Sequence, residues 1–372
     1  MKTKKILFLV NHDIVIYNFR KELVERLLEE GYEVYISSPY GERIDYLTSM
    51  GCHYIETKIN RHGTNIIEDL RLLRTYKRIM KDVSPDVVLT YTIKPNVYGG
   101  MAAQSLDIPY ISNITGLGSA VENGGVMQKI SVLLYKRAFR KVQTVFFQNK
   151  ENMQFFNERK IALGKHKLLP GSGVNTEQFS LLEYPSDEVI RFVFISRIMK
   201  EKGIDYYLEA AKYIKEKYPN TEFHICGFSE EDYEDILKEC EEKGIIIYHG
   251  MVKDIREILK ITHCTVHPTY YPEGMSNVLL ESAASGRPVI ASDRSGCREI
   301  IDDGVNGYLV KQKDSKDLIN RIETFLKLSH KDKKNMGIIS REKVTNQFDR
   351  RIVVDFYMEE ILSIDNEGSR YR

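Results

Sequence analysis

The chain has 372 residues, 54 basic and 53 acidic, and its formal charge of +1 excludes both a nucleic-acid polycation and an acidic solvating chain. With 42% hydrophobic residues it carries apolar material for more than one core, and its length predicts two domains. No apolar run approaches the roughly 20 residues of a membrane-spanning helix, and Ile6 to Val10 is too short for a signal-peptide core. From the amino terminus the runs KKILFLV, EVYISS, HYIETKI, DVVLTYT, PYISNIT and TVFFQN read as strands. Between them lie helical stretches such as NFRKELVERLLEEG, with Leu23, Leu27 and Leu28 on one face and Gly31 as its stop. The polar stretch 180–190 breaks the pattern and reads as a linker. The alternation restarts with RFVFISRI and continues through EFHICG, GIIIYHG, CTVHPTY, RPVIASD and NGYLV, before about 40 terminal residues of charged helix.

Strands alternating with helices build parallel sheets. The expected fold is therefore α/β: two doubly wound, Rossmann-like parallel-sheet domains, residues 1–180 and 181–372, facing a cleft where strand carboxyl ends point, with C-terminal helices. Their charges differ. Residues 1–180 hold 25 Lys and Arg against 18 Asp and Glu, and the remainder holds 29 against 35. The five cysteines are widely spaced and form no C-x-x-C pair, as in a reduced cytoplasmic protein.

The stretch YPEGMSNVLLESAASGRPVIASD, residues 271–293, is the richest in chemistry. Ser276 is placed to cap a helix opening near Asn277, and Gly286 with Pro288 closes it. A helix N-terminus of this kind holds phosphate, because its unpaired N–H groups and its dipole both favour an anion. Glu273 and Glu281 frame it as E-x7-E. On a continuous helix that spacing is about 12 Å of rise and about 80° of rotation. It does not make the close carboxyl pair of a glycosidase and suits two ends of an elongated ligand. Earlier in the same half, SRIMKEKGID puts Arg197 just past a strand and Lys202 just before a helix, a flat donor fork beside a mobile point charge that suits a diphosphate. His263 and His267 are four apart, but CTVHPTY reads as a buried strand, so packed histidines are expected and no metal site.

These segments resemble the retaining glycosyltransferases of family 4, which have the two-domain GT-B fold. The resemblance runs over nearly the whole chain: SRIMKEKGIDYYLEAA, CGFSEEDYEDI with its glycine turn at Gly227, HGMVKDI with Met251 in the turn under the nucleotide base, and YPEGMSNVLLESAASGRPVIASDRSGCREII. In the first half, KPNVYGGMAAQSLDIPYISNITGLGS resembles bacterial members that add sugars to undecaprenyl-diphosphate-linked glycans of capsule, O-antigen or glycoprotein oligosaccharides. The resemblance implies a transferase that needs no cofactor or metal and uses a nucleotide-diphosphate sugar, a UDP-linked hexose or N-acetylhexosamine, as donor. Arg197 and Lys202 are implied to bind the diphosphate, Glu281 the ribose and Glu273 the sugar. Gly274, Met275 and Ser276 are implied to offer backbone N–H groups, with Asn277 beside them. Where several members have a His before the position of Lys94, this chain has Ile93, so no catalytic His is assigned there.

In the first half, His12 sits at the expected cleft edge either as a structural hydrogen-bonding group or as a substrate contact. Lys94 and Asn96 follow a strand end, where the family implies a role near donor phosphates or acceptor. Residues 114–125, with Gly116 and Gly118, lack the dinucleotide spacing G-x-G-x-x-G and suit an acceptor loop instead. Two basic helices, near residues 68–81 and 126–142, read as solvated faces or as contacts to anionic lipid. In the second of these, Met127, Ile130, Leu134 and Ala138 share one side while Lys129, Lys136 and Arg140 lie elsewhere. The resulting reading is a cytoplasmic enzyme, peripheral on the inner face of the membrane, with a UDP-sugar and an undecaprenyl-diphosphate-linked saccharide as substrates and no nucleic acid. Its rivals are a sugar-nucleotide 2-epimerase of similar fold and a non-catalytic nucleotide-sugar-binding partner.

Overall fold

A computed structural model describes residues 3–60, 65–118, 121 and 124–370. The first sheet orders seven parallel strands β3-β2-β1-β4-β5-β6-β7. These are β1 (Lys5–Leu9), β2 (Glu33–Ser38), β3 (His53–Glu56), β4 (Val87–Tyr91), β5 (Tyr110–Ile114), β6 (Thr144–Phe147) and β7 (His166–Leu168). The second orders six parallel strands β10-β9-β8-β11-β12-β13: β8 (Ile190–Ile195), β9 (Thr221–Cys226), β10 (Ile247–Tyr248), β11 (Cys264–His267), β12 (Val289–Ser292) and β13 (Gly307–Val310). In each sheet the order reverses direction beside the first strand, the topological switch at which open α/β sheets bind ligands.

Both faces of the central strands are covered, which is why these strands read as unbroken apolar runs. In β1, Ile6 and Phe8 enter one core while Leu7 and Leu9 enter the other, as the two-residue side-chain period requires. In the second unit Phe192 and Phe194 pack on one side of β8 and Val193 on the other.

The chain divides into one unit of Met1–Ser172, Pro272–Met275 and Arg350–Arg372, and another of Gly173–Tyr271 and Ser276–Asp349. This differs from the expected halves at 180. The stretch 180–190 lies inside the second unit, and the terminal helix Arg350–Arg370 belongs to the first. Val353, Tyr357 and Ile361 of that helix join the core that holds Ile6 and Phe8. Its apolar spacing marks a packing face, but spacing alone does not say which sheet receives it.

Two local departures have physical causes. The expected helix from Asn18 to Gly31 is two helices, Asp13–Phe19 and Lys21–Glu29, broken at Arg20. Arg20 is buried, with its guanidinium 5.1 Å from the Tyr91 ring and 5.4 Å from that of Tyr357. Strand β7 was not expected from the sequence because it is a three-residue edge strand paired only with β6.

Candidate functional site

At the carboxyl edge of the second sheet, three consecutive strand ends meet. The Ser196 N–H donates to Cys226 O at 3.0 Å, Gly227 N–H to Gly250 O at 2.8 Å and the Tyr248 hydroxyl to Gly227 O at 2.9 Å. Arg197, Gly227 and Met251 are thereby gathered by backbone bonding. Gly227 is required: its φ is +143°, and a Cβ there would lie 1.7 Å from Ser196 O. Met251 is 69% exposed at this edge, free to lie under a planar ligand. Arg197 forms an ion pair with Glu230 and lies 5.3 Å from the Tyr271 ring centroid. Burial disfavours its charge, but the Tyr271 phenol and the Glu230 carboxylate outweigh burial and raise its pKa. Lys202 is buried in a 3-10 turn, Lys200–Lys202, which leads into helix Ile204–Lys217.

The helix expected after Ser276 forms as Asn277–Ala284, with Ser276 at its N-cap. The Ser276 hydroxyl does not cap it; it is buried and makes no hydrogen bond among the described residues. Asn277 Oδ1 is likewise buried without a partner among the described residues. At this helix N-terminus the Ser276 hydroxyl can donate to an anionic ligand, whereas Asn277 Oδ1 only accepts and suits a ligand hydroxyl. One expectation is corrected here: the Ser276 N–H is not available to a ligand, since it donates to Gly296 O at 2.8 Å.

Glu281 lies half-buried on this helix, whereas Glu273 lies half-buried in the loop before it. Only part of the eight-residue spacing is helical, so the 12 Å rise of a continuous helix does not describe the pair. Glu273, Gly274 and Met275 group with the first unit. There Asn149 Nδ2 donates to Gly274 O at 2.6 Å and to Glu273 O at 3.1 Å, and Thr115 and Gly116 run beside Gly274. Met275 is buried. Asn149 was missed from the sequence. Its signal was its place two residues after the strand TVFF and immediately before helix Lys150–Glu158, which it also caps through Asn152 N–H at 2.8 Å.

In the first unit the expected cleft residues are largely engaged by their own fold. His12 is the N-cap of helix Asp13–Phe19: its Nδ1 is 3.2 Å from Ile14 N and 2.5 Å from Asp13 Oδ1. One ring nitrogen cannot accept and donate at once, and the cap requires it to accept. Lys94 pairs with Asp69 at 2.9 Å, and Tyr98 donates to the same carboxylate at 2.8 Å. Asn96 is corrected as a ligand contact. It is 1% exposed, its oxygen accepts from Thr90 at 2.7 Å, and its nitrogen donates to Asn113 O at 2.8 Å, stitching β4 to β5. Just before it, Thr92 holds φ +68° and Pro95–Gly99 forms a π-helical turn, two features that concentrate at working sites. Gly118, at φ +74°, lies by Ile93. Residues 119, 120, 122 and 123 of the expected acceptor loop lie outside the described residues.

Beside Lys94 a cavity of about 720 Å³ opens at the carboxyl end of β3, lined by Lys58, Arg71 and Arg78 and also by Glu56, Glu68 and Asp69. Lys58, Arg71 and Arg78 make no ion pair among the described residues. On helix Gly125–Ala138, Tyr135 and Ala138 are buried, while Met127 and Ile130, expected with Ala138 on one side, are exposed together with Val126 and Leu133.

Comparison with known proteins agrees with this division. A family described as glycosyl transferases group 1 matches residues 177–343, and one described as glycosyl transferase 4-like matches residues 5–149. A Campylobacter jejuni N,N'-diacetylbacillosaminyl-diphospho-undecaprenol alpha-1,3-N-acetylgalactosaminyltransferase is 26% identical over 95% of this chain and 97% of its own. An Escherichia coli UDP-Gal:alpha-D-GlcNAc-diphosphoundecaprenol alpha-1,3-galactosyltransferase is 25% identical over 91% of this chain and 92% of its own. Among solved structures, Anabaena HepE in complex with UDP and glucose superposes with a TM-score of 0.79 at 18% identity, covering 97% of this chain and 99% of HepE, which is a likeness of fold.

Proposed function

Because the chain belongs to the glycosyltransferases with a 4-like first domain and a group 1 second domain, we propose that it is a retaining enzyme that moves a hexose or N-acetylhexosamine from a UDP-sugar to an undecaprenyl-diphosphate-linked saccharide. The observation that carries this reading is the meeting of Arg197, Gly227 and Met251 at the ends of β8, β9 and β10, in the part that matches the group 1 family. The nucleotide base stacks by Met251, and Glu281 accepts from the ribose hydroxyls. Arg197, Lys202 and the start of helix Asn277–Ala284 hold the diphosphate, and Glu273 orients the sugar.

The anomeric C–O bond to the β-phosphate breaks as the acceptor hydroxyl attacks from the same face. The departing phosphate takes the hydroxyl proton and carries the electron pair of the broken bond. Charge therefore grows on the diphosphate, where two cations and a helix terminus stabilise it most. No metal is invoked.

The first unit takes the acceptor. Its cavity brings Lys58, Arg71 and Arg78 together with Glu56, Glu68 and Asp69, a lining of both signs that suits a phosphate carried by a hydroxyl-rich saccharide. The relatives named above act on diphospho-undecaprenol-linked sugars, which favours the same acceptor class here. Among the described residues no helix is long and apolar enough to cross a membrane. Contact with the inner leaflet falls instead to helix Gly125–Ala138 and the turn after it, where Val126, Met127, Ile130 and Leu133 stand exposed beside the exposed Lys129, Lys136, Arg137 and Arg140.

Incubation with UDP-sugars, with and without an undecaprenyl-diphosphate-linked saccharide, followed by mass spectrometry, tests the reading. A sugar added only when both are present supports it. An isomerised nucleotide sugar without acceptor marks an epimerase, and binding without turnover marks a silent partner. Charge reversal at Lys129, Lys136, Arg137 and Arg140 is expected to abolish sedimentation with anionic vesicles at low salt; unchanged binding would return these residues to a solvated face.

A further inference from the structure

We propose that Tyr271 is a positioning residue of the donor site, its ring holding Arg197 and Lys202 together so that they meet the donor diphosphate as one unit. The inference rests on the donor reading above and assigns a side chain that reading does not use. Arg197 and Lys202 come from different elements, a strand end and a 3-10 turn, and like charges brought close repel each other. The Tyr271 ring lies within reach of both: its centroid is 5.3 Å from the Arg197 guanidinium carbon and 4.6 Å from the Lys202 ammonium. Cations within about 6 Å of an aromatic face are attracted by its quadrupole. One ring thus offers each cation an attraction that offsets part of their repulsion.

The ring is itself fixed to the turn it serves. Tyr271 N–H donates to Thr269 Oγ1 at 3.1 Å, and both Tyr270 N–H, at 2.9 Å, and the Thr269 hydroxyl, at 3.3 Å, donate to Glu201 O, one residue before Lys202. On the other side of Lys202, Gly203 holds φ +84° and approaches Pro268 so closely that a Cβ would lie 2.2 Å from Pro268 O. Residues 268–271 therefore clamp the turn that carries Lys202. Glu230 holds the Arg197 guanidinium independently of the ring. Both cations are set before any ligand arrives, and a site built in advance stabilises developing charge without reorganising.

The test compares Tyr271→Leu with Tyr271→Phe in the full chain, alone and in a Lys202→Ala background, by steady-state transfer and by UDP titration. Tyr271→Leu is expected to lower kcat about 10- to 30-fold with a smaller rise in donor KM, because aligned cations matter most when charge develops. Tyr271→Phe, which keeps the ring, is expected to recover most of that loss. In the Lys202→Ala background the Leu substitution is expected to cost much less, as coupled residues are non-additive. A residue with only a structural role would lower Tm and leave kcat per folded molecule unchanged. Should Tyr271→Leu fail to fold, Tyr271→Gln replaces it. The proposal is overturned if the ringless variant keeps its kcat, if Tyr271→Phe is as damaging, or if the losses simply multiply. Retained turnover in Tyr271→Leu with turnover lost in Arg197→Ala would sink this inference alone. A folded wild type that binds no UDP would sink the donor reading and this inference with it.

Discussion

The two units present the same architecture, a parallel sheet with polar residues at its carboxyl edge, yet they satisfy those residues to different degrees. In the second unit Met251 is exposed, the Ser276 hydroxyl at the helix N-cap is buried without a partner among the described residues, and Arg197, although paired with Glu230, keeps about a third of its side chain exposed beside the turn at Gly227. In the first, Asn96 is bonded through both ends of its amide, His12 caps a helix, and Lys94 is neutralised by Asp69. A polar side chain at a strand end thus says little by itself. Whether it binds or builds depends on whether its neighbours have already satisfied it.

The largest effect that could break this contrast lies in the second unit. Arg197→Ala and Lys202→Ala are each expected to lower kcat by about 10²–10³ with the fold intact, the amount one well-placed electrostatic donor supplies to a developing anion. Retained turnover in both variants, measured with the true donor and acceptor, would show that these residues are as structural as Asn96.

The converse change belongs to the first unit. Asn96→Ala removes one buried hydrogen bond from the Asn113 carbonyl and one from the Thr90 hydroxyl, which keeps Ser112 as a partner, and is expected to cost about 1–3 kcal/mol. Chemical denaturation should register that loss while kcat per folded molecule stays within about twofold. A large fall in kcat with unchanged stability would restore Asn96 to the site.

What was legible in the sequence follows from the same distinction. All but one of the strands were legible, the central ones as apolar runs because both sheet faces are buried and the partly exposed edges β3 and β10 by their β-branched and aromatic residues; the exception, β7, is a three-residue edge. The residues proposed for the donor show because their chemistry is tied to local pattern: a glycine after β9, a basic pair after β8, a serine before an apolar helix. The destination of helix Arg350–Arg370 was not legible, since a periodic apolar face fits any complementary sheet. Nor was the engagement of Asn96 and Lys94, whose partners Asn113 and Asp69 are distant in sequence. The bond from Asn149 to Gly274 escaped for the same reason, as it spans 125 residues.

The smallest effect sharpens the contrast through pH. In the second unit burial lowers His224 to about 4, with nearby His249 adding to the shift and Glu222 opposing it. Burial also lowers His263 to about 4, against the opposing pull of the Ser186 carbonyl and Asp187. His263 is fully buried between two bonds: Arg191 N–H donates to its Nδ1 at 3.0 Å, and its Nε2 lies 3.1 Å from Ser186 O. A folded pKa below the unfolded value of about 6.5 means that the unfolded chain binds the proton first. The stabilisation held by the neutral rings is therefore complete above about pH 6.5 and is lost as pH falls towards 4. Near pH 5.5 each histidine is expected to cost about 1 kcal/mol relative to pH 7.5, a fall of a few degrees in Tm. Burial lowers His166 in the first unit as well, so the wild-type profile alone does not separate the units. Calorimetry of His224→Gln and His263→Gln at the two pH values does, in a chain whose lack of Trp removes the usual fluorescence probe. Each variant should lose stability at pH 7.5 and show a flatter fall towards pH 5.5. A fall as steep as the wild type's in both would exclude these two rings and leave His249 of the second unit and His166 of the first, each also lowered by burial, as the next residues to change.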